Sequence, residues 1–432
     1  MSQESTAAAS HISAHKRLTL LSIGPKAPWP VTCGGSEGIH GAIEALARHF
    51  DVVYACPAPA ASTEQVEHYG RIGVEYRPIG FEPSESLGDI VSATLQGLPF
   101  KFHKYSSGKA LAAFDRELGN IQPDAILCFH AHTEALGRGL CKLRGWNVPI
   151  VLREHNIEYE MARSICSSMP MLKRLAAEPF LWLTEREEQR MWARSDCVAF
   201  LSESDLAAAR ATGVRGRFEL VPEGVPLPPR RTVAYPGANA PLLIPFNPNA
   251  LQSRNNTIKF LRDYWRAVAN LPLLAGTRLA ITAVDAPQLA ALSGISEEEQ
   301  RNLRIDALGF LPSLAPWFQS ALAVVAPTFF GSGIRKKVLE AMANQVPVVA
   351  TELDLGTCHY FDAGRNILLM GEPSAFAQTV AALRDDPERW LSLVESGRAT
   401  VEEHASWEGF ARAMRGQIEA LLLSGAGRSE HR

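Results

Sequence analysis

The segment ALAVVAPTFFGSGIRKKVLEAMANQVPVVAT, Ala321 to Thr351, sets Gly331, Ser332 and Gly333 ahead of Arg335, Lys336 and Lys337, with Glu340 one turn further on. Apolar runs of strand length frame the cluster, so the glycines fall where a buried strand hands over to a helix. A helix N-terminus presents unpaired amides and the positive end of its dipole, and both attract an anion. Gly331 and Gly333 carry no Cβ and let a phosphate approach the backbone. Arg335 and Lys337 add charge that the backbone cannot supply. Glu340, three residues beyond Lys337 and four beyond Lys336, lies over the same turn and can accept from paired hydroxyls such as those of a ribose. The same spacings also describe ion pairs on a solvated helix, and it is the glycine-rich entrance after an apolar strand that favours phosphate. There is no G-x-x-x-x-G-K-[ST], and IGPKAPWPVTCGG after the first apolar run is not G-x-G-x-x-G. Both absences count against an ATPase and a dinucleotide oxidoreductase.

A second group of candidates sits in the first half of the chain. His155, in REHNIEY, follows the apolar run Ile150 to Leu152 and stands at the carboxyl end of an expected strand, with Glu154 and Asn156 beside it. It is either a structural hydrogen-bonding residue or a catalytic one. His130 and His132 follow another such run; two histidines without a carboxylate or cysteine partner make a poor metal site, and lining of a cleft is the better reading. No DxD pair offers a metal, and no catalytic metal and no cofactor are expected. Lys101, His103, Lys104, Tyr105 and Lys109 form either a solvated face or a basic lip for an acidic acceptor or anionic lipid. Leu175, Phe180, Trp182, Leu183 and Trp192 read as packing first and as a membrane or acceptor surface second.

These residues need elements to hold them. RLTLLSI, DVVYAC, DAILCF, PIVLREH, CVAFLS and FELVPEGV read as buried strands separated by helices, the first of which is GGSEGIHGAIEALARHF. One long helical region is expected from Met161 to Ala193. The proline-rich stretch from Pro226 to Pro241 has no apolar period and holds the interdomain linker. A second alternating series follows with PLLIPFN, RLAITAV, RIDALGF, ALAVVAP, VPVVAT and NILLM. Alternation of this kind marks parallel sheets covered on both faces, whose ligands bind beyond the carboxyl ends of the strands. The expected division is a disordered leader at 1–16, a first domain at 17–228, a linker at 229–241, a second domain at 242–405, an amphipathic crossover helix at 406–423 and a frayed tail at 424–432.

With 432 residues, two domains are expected. A net charge of -3 excludes a globally basic nucleic-acid binder. The seven cysteines show no C-x-x-C spacing, which argues against a disulfide framework or a structural zinc and fits a reducing cytoplasm. No apolar run reaches the ~18 residues a spanning helix needs.

GSGIRKKVLEAMANQVPVVAT resembles the donor-binding segment of the family 4 (group 1) retaining glycosyltransferases. CGGSEGIHGAIEALARHFDVVYAC, VLREHNIEYEMARS, MWARSDCVAFLSESD, LVPEGV, GFLPSLAPWFQSALAVVAP and FDAGRNILLM support the likeness in order and spacing, from Leu18 to about Phe410. The resemblance implies an α/β GT-B fold: two Rossmann-like, doubly wound domains facing each other across a cleft, with the last helix crossing back to the first. It implies a retaining transfer of sugar from a nucleoside diphosphate sugar to a hydroxyl of a glycan or lipid-linked glycan. Analogy adds surface polysaccharide assembly in the bacterial cytoplasm, with peripheral contact at the inner face of the membrane as an option. By residue, it implies that Gly34 and Gly35 face the donor diphosphate and that His155 stands near the transferred sugar. Arg335 and Lys337 correspond to the diphosphate pair and Glu340 to the ribose glutamate, while Gly331, Ser332 and Gly333 border the donor.

Two positions depart from the family pattern: Ser332 stands where a first glutamate is common, and Glu223 where an asparagine is common. The pattern does not require a base at Lys336, so Lys336 is expected to matter less than its neighbours. Other chemistries on the same fold, phosphorolysis or epimerisation, and an inactive sugar-nucleotide-binding partner protein are the alternative readings.

Overall fold

The computed structural model describes residues 17–31, 34–82, 88, 92–93, 95–167, 170–330 and 335–429. Two all-parallel sheets follow one another along the chain. The first contains β1 (Thr19–Ile23), β2 (Asp51–Pro57), β3 (Val74–Ile79), β4 (Ala125–Phe129), β5 (Ile150–Glu154), β6 (Cys197–Phe200) and β7 (Phe218–Leu220), in the order β3-β2-β1-β4-β5-β6-β7. The second contains β8 (Leu242–Ile244), β9 (Leu279–Ile281), β10 (Ile305–Ala307), β11 (Ala323–Ala326), β12 (Val348–Ala350) and β13 (Leu368–Leu369), in the order β10-β9-β8-β11-β12-β13. The central strands are buried along their whole length because helices cover both faces, which is why their sequences are unbroken apolar runs.

The helices that bear on the site are α1 (Gly34–Leu46), α2 (Phe100–Ser106), α3 (Ala131–Arg144), α4 (Glu158–Ser167), α5 (Met171–Arg194), α6 (Leu251–Lys259), α7 (Lys336–Ala343) and α8 (Trp407–Ser429). Strand order reverses between β1 and β4 in one sheet and between β8 and β11 in the other. At such a switch the connections leave to opposite faces and open a crevice beyond the strand ends. In the first sheet that crevice receives the start of α1 and His130; in the second it receives the start of α6 and the chain around Phe330.

The last helix returns to the first sheet. Phe410, Ala411, Met414 and Ile418 of α8 share one buried cluster with Leu20, Ile39 and Ile43. Trp407, at its start, lies against α1 so closely that a Cβ on Gly41 would fall 2.2 Å from the indole. Gly41→Ala is therefore expected to lower stability by about 1–3 kcal/mol through overpacking, read as a fall in melting temperature.

Several elements differ from the expected ones. The helical region from Met161 is two helices, α4 and α5; α5 has Pro170 as its N-cap residue and carries Pro179 within it. The helix expected to follow the glycines begins at Lys336, with Arg335 as its N-cap residue. The last helix runs to Ser429, past the point where Gly425 and Gly427 suggested a tail. Strand β3 and a helix over Pro387–His404 have no counterpart in the sequence reading. Between β7 and β8 the proline-rich stretch forms no helix or strand beyond a single bridge at Val225. It is tied to the second domain: Arg231 N donates to Gln345 Oε1 at 2.9 Å, and Arg398 Nη2 donates to Pro228 O at 2.8 Å. The leader and Gly331, Ser332 and Gly333 lie outside the described residues.

Candidate functional site

In the second domain, the crevice beyond β8 and β11 is a cavity of about 330 Å³. Its wall includes Asn247, Ser253, Asn256, Thr328, Arg335 and Lys337, and Gly34 of the first domain closes one side. Asn256 fixes the chain leading toward the glycine-rich stretch: its Oδ1 accepts from Phe329 N at 2.9 Å and its Nδ2 donates to Phe330 O at 3.0 Å. A buried amide bonded to two successive backbone groups sets their direction firmly. Asn247, Ser253 and Asn256 are site residues that sequence reading missed. Their signal was the polar stretch FNPNALQSRNNT directly after a buried strand.

The three cations at the start of α7 have three different partners. Arg335 lies 2.9 Å from Asp354 Oδ1, and Asp354 is fully buried, so part of this arginine's charge is already engaged within the domain. Lys337 Nζ donates to Ser253 Oγ at 3.2 Å. Burial pushes the Lys337 ammonium down to about 8, with Asp354 and Glu340 acting weakly the other way. A desolvated ammonium in a cavity is poised to gain a polyanion. Lys336, expected to be the least important, turns instead toward the first domain. Its Nζ lies 3.1 Å from Glu37 Oε2 and 3.0 Å from Glu223 Oε1, and it donates to Gly34 O at 3.1 Å.

Glu340 does not line the cavity. It is half-buried behind the lysines, and burial, then the neighbouring Glu37 and Glu223, push its carboxyl up to about 7 despite Lys336 and Lys337. Gly34 and Gly35 open α1, whose first-turn amides face this gap. A Cβ on Gly35 would meet nothing within 4 Å, and one on Gly34 only the Lys336 stem at 3.8 Å, so folding does not require glycine at either position.

The first domain contributes three histidines. His155 follows β5, is 7% exposed, and has no hydrogen bond to either ring nitrogen among the described residues. Its ring stacks on His130 with centroids 4.2 Å apart. Burial, then the nearby His130, Arg153 and Lys336, hold His155 well below the usual imidazole range, so it stays neutral. The influence of Lys336 also shows that both halves face one gap. His130 starts α3 in a left-handed conformation, φ 70°, which a non-glycine residue adopts at a cost of about 1–3 kcal/mol. Burial brings it down to about 3.

His130 and His132 are not without a carboxylate, as the sequence suggested. Glu158 Oε1 lies 3.9 Å from the Nδ1 of each, while Lys101 Nζ lies 2.6 Å from Glu158 Oε2. Among the described residues no group of three or more His, Cys, Asp or Glu side chains is placed to hold a metal ion. Neutral imidazoles offer one donor and one acceptor each, which matches hydroxyl groups. A larger groove of about 490 Å³ runs beside Trp182, Gln189 and Ala193 of α5 and Val214. Ala193 and Val214 precede β6 and β7, which places this groove at the amino ends of the strands, away from the crevice.

The two halves thus oppose a cavity that carries cations to a neutral, hydroxyl-matching histidine cluster. Residues 250–386 match the family described as Glycosyl transferases group 1. A D-inositol 3-phosphate glycosyltransferase from Arthrobacter sp. (strain FB24) is 26% identical over 418 residues, covering 92% of each chain. Sucrose-phosphate synthase from Thermosynechococcus elongatus superposes with a TM-score of 0.65 at 19% identity, over 94% of this chain and 100% of its own. Anabaena HepE, solved with UDP-glucose, superposes with a TM-score of 0.62 at 12% identity, over 93% of this chain and 100% of its own.

Proposed function

We propose that this chain, a glycosyltransferase of the GT-B fold, moves a sugar with retention from a nucleoside diphosphate sugar to a hydroxyl of a glycan or lipid-linked glycan in bacterial surface polysaccharide assembly. The observation that carries the reading is the cavity shared by Lys337, Arg335 and Gly34 at the strand-order switch of the second sheet. The leaving group is a diphosphate, so the chief task is to stabilise the charge that develops on it, and cations with preorganised amides suit that task. Retention has the acceptor hydroxyl attack on the face from which the phosphate departs, and a phosphate oxygen takes its proton. His155, neutral and facing the gap, orients the sugar by bonding to its hydroxyls. The nucleotide-sugar complex of HepE and the glycosyltransferase relative from Arthrobacter support the donor assignment.

No described helix is long and apolar enough to cross a membrane. Met171, Leu175 and Trp182 are exposed on α5 at spacings of four and seven, with Lys173 and Arg174 adjacent. That stripe supports peripheral contact with a membrane carrying the acceptor.

Titration with UDP and with GDP tests the donor site. Binding of one of them by the wild type is expected to be tightest between about pH 7 and pH 8: below it Glu340 takes a proton and loses acceptor capacity, and above it Lys337 loses its charge. Glu340→Ala is expected to weaken binding about 10- to 150-fold, the equivalent of ~1.5–3 kcal/mol for hydrogen bonds to a charged group. Unchanged affinity in that variant removes Glu340 from the ribose, and no binding of either nucleotide overturns the donor assignment.

A further inference from the structure

Glu223 and Lys336 meet across the domain gap at 3.0 Å. Glu223 follows β7 in the first domain and is 3% exposed. Its carboxylate is pressed against α1, where a Cβ on Gly38 would fall 2.2 Å from Oε1. The glutamate therefore occupies a seat that only glycine at 38 leaves open. Lys336 comes from the opposite domain with its side chain 16% exposed, and reaches Glu37 and Gly34 O as well. Behind Glu223, the fully buried Arg153 lies within its electrostatic influence. Charges of alternating sign thus run from Arg153 through Glu223 and Lys336 to Glu37. At such a shielded place, removing one partner leaves its neighbour with an uncompensated charge.

We infer that Glu223 and Lys336 are positioning residues whose ion pair clasps the two domains in the closed arrangement, bringing α7 against the start of α1. Neither side chain then needs to touch the donor. The clasp sets the distance between the Lys337 cavity and the His155 cluster, and so governs how often the two halves of the site are assembled together. Lys336 stands at the wall of the cavity with its side chain 16% exposed, and its charge is engaged there by three first-domain oxygens. The inference rests on the transferase reading for its kinetic arm, whereas domain closure is measured without any ligand.

The test compares E223Q, K336M and the double variant with the wild type, after thermal melting has established that each is folded. Small-angle X-ray scattering of the ligand-free proteins is expected to give a larger radius of gyration for each single variant, with no further increase in the double. Turnover of UDP-glucose or GDP-mannose, whichever the wild type consumes, is expected to fall about tenfold in each single variant. The double is expected to lose no more than the worse single, because both remove the same contact. Unchanged scattering in all three variants overturns the clasp even if neither donor is consumed. Losses that multiply in the double overturn it too. So does a loss of nucleoside diphosphate affinity in K336M alone, which would make Lys336 a phosphate ligand.

Discussion

Lys337→Ala is expected to lower kcat by roughly 10²- to 10³-fold, the loss typical when one group that stabilises developing charge is removed. The fold should not suffer. Among the described residues Lys337 donates one hydrogen bond, to Ser253, and has no ion pair; burial holds it down to about 8, so the folded protein carries a desolvated cation there. Removing such a group relieves a cost as readily as it creates one. Arg335→Ala is a less clean experiment. It would strip a fully buried Asp354 of its guanidinium, although Thr351 N and Oγ1 still donate to that carboxylate at 3.1 and 3.0 Å. Turnover and melting temperature measured on the same Lys337→Ala sample decide the matter, and full activity would remove the lysine from the diphosphate.

His155→Ala is expected to reduce kcat by about 10²-fold or more while leaving affinity for the nucleoside diphosphate unchanged. The imidazole contacts the sugar only in the closed complex, so its contribution appears in the transition state and not in nucleotide binding. Because burial keeps the ring neutral, its effect should not vary across the pH range in which Glu340 and Lys337 titrate. His155→Gln, which retains a donor and an acceptor, should recover part of the loss. The competing role is structural, given the stacking on His130 and the contact with Phe129. A variant that melts early yet remains fully active once folded would establish that role and remove His155 from the site.

The fold was legible where burial is two-sided. AILCF and AVVA are apolar at every position because both faces of their strands are covered, and no surface element produces that pattern over several repeats. Strand β3 escaped notice for the opposite reason. It is an edge strand, its residues alternate in exposure, and it contains Pro78, so it resembles a loop. In the site, glycine and charge at a strand end were local signals, and they led to Arg335 and Lys337, while Gly34, which the structure brings to the same cavity, came only from the resemblance. Local signals could not reveal what Lys336 does. Its partners Glu37 and Glu223 lie far away in sequence, and no periodicity encodes a contact between domains. Asn256 was hidden similarly, since its importance lies in the backbone of Phe329 and Phe330 and not in its own helix.

The return of α8 to the first sheet has a consequence for how the chain is made. Leu20, Ile39 and Ile43 emerge from the ribosome well before Phe410, Met414 and Ile418, which complete their cluster. While the second domain is being synthesised this face of the nascent first domain lacks its cover, an apolar surface at which each missing side chain forgoes about 1.5–3 kcal/mol of burial. The second domain, by contrast, can close its own core as soon as the helix over Pro387–His404 has been delivered. The domain that begins first is therefore finished last, and its completion draws α1, with Gly34 and Glu37 at its tip, to the place where Lys336 awaits it.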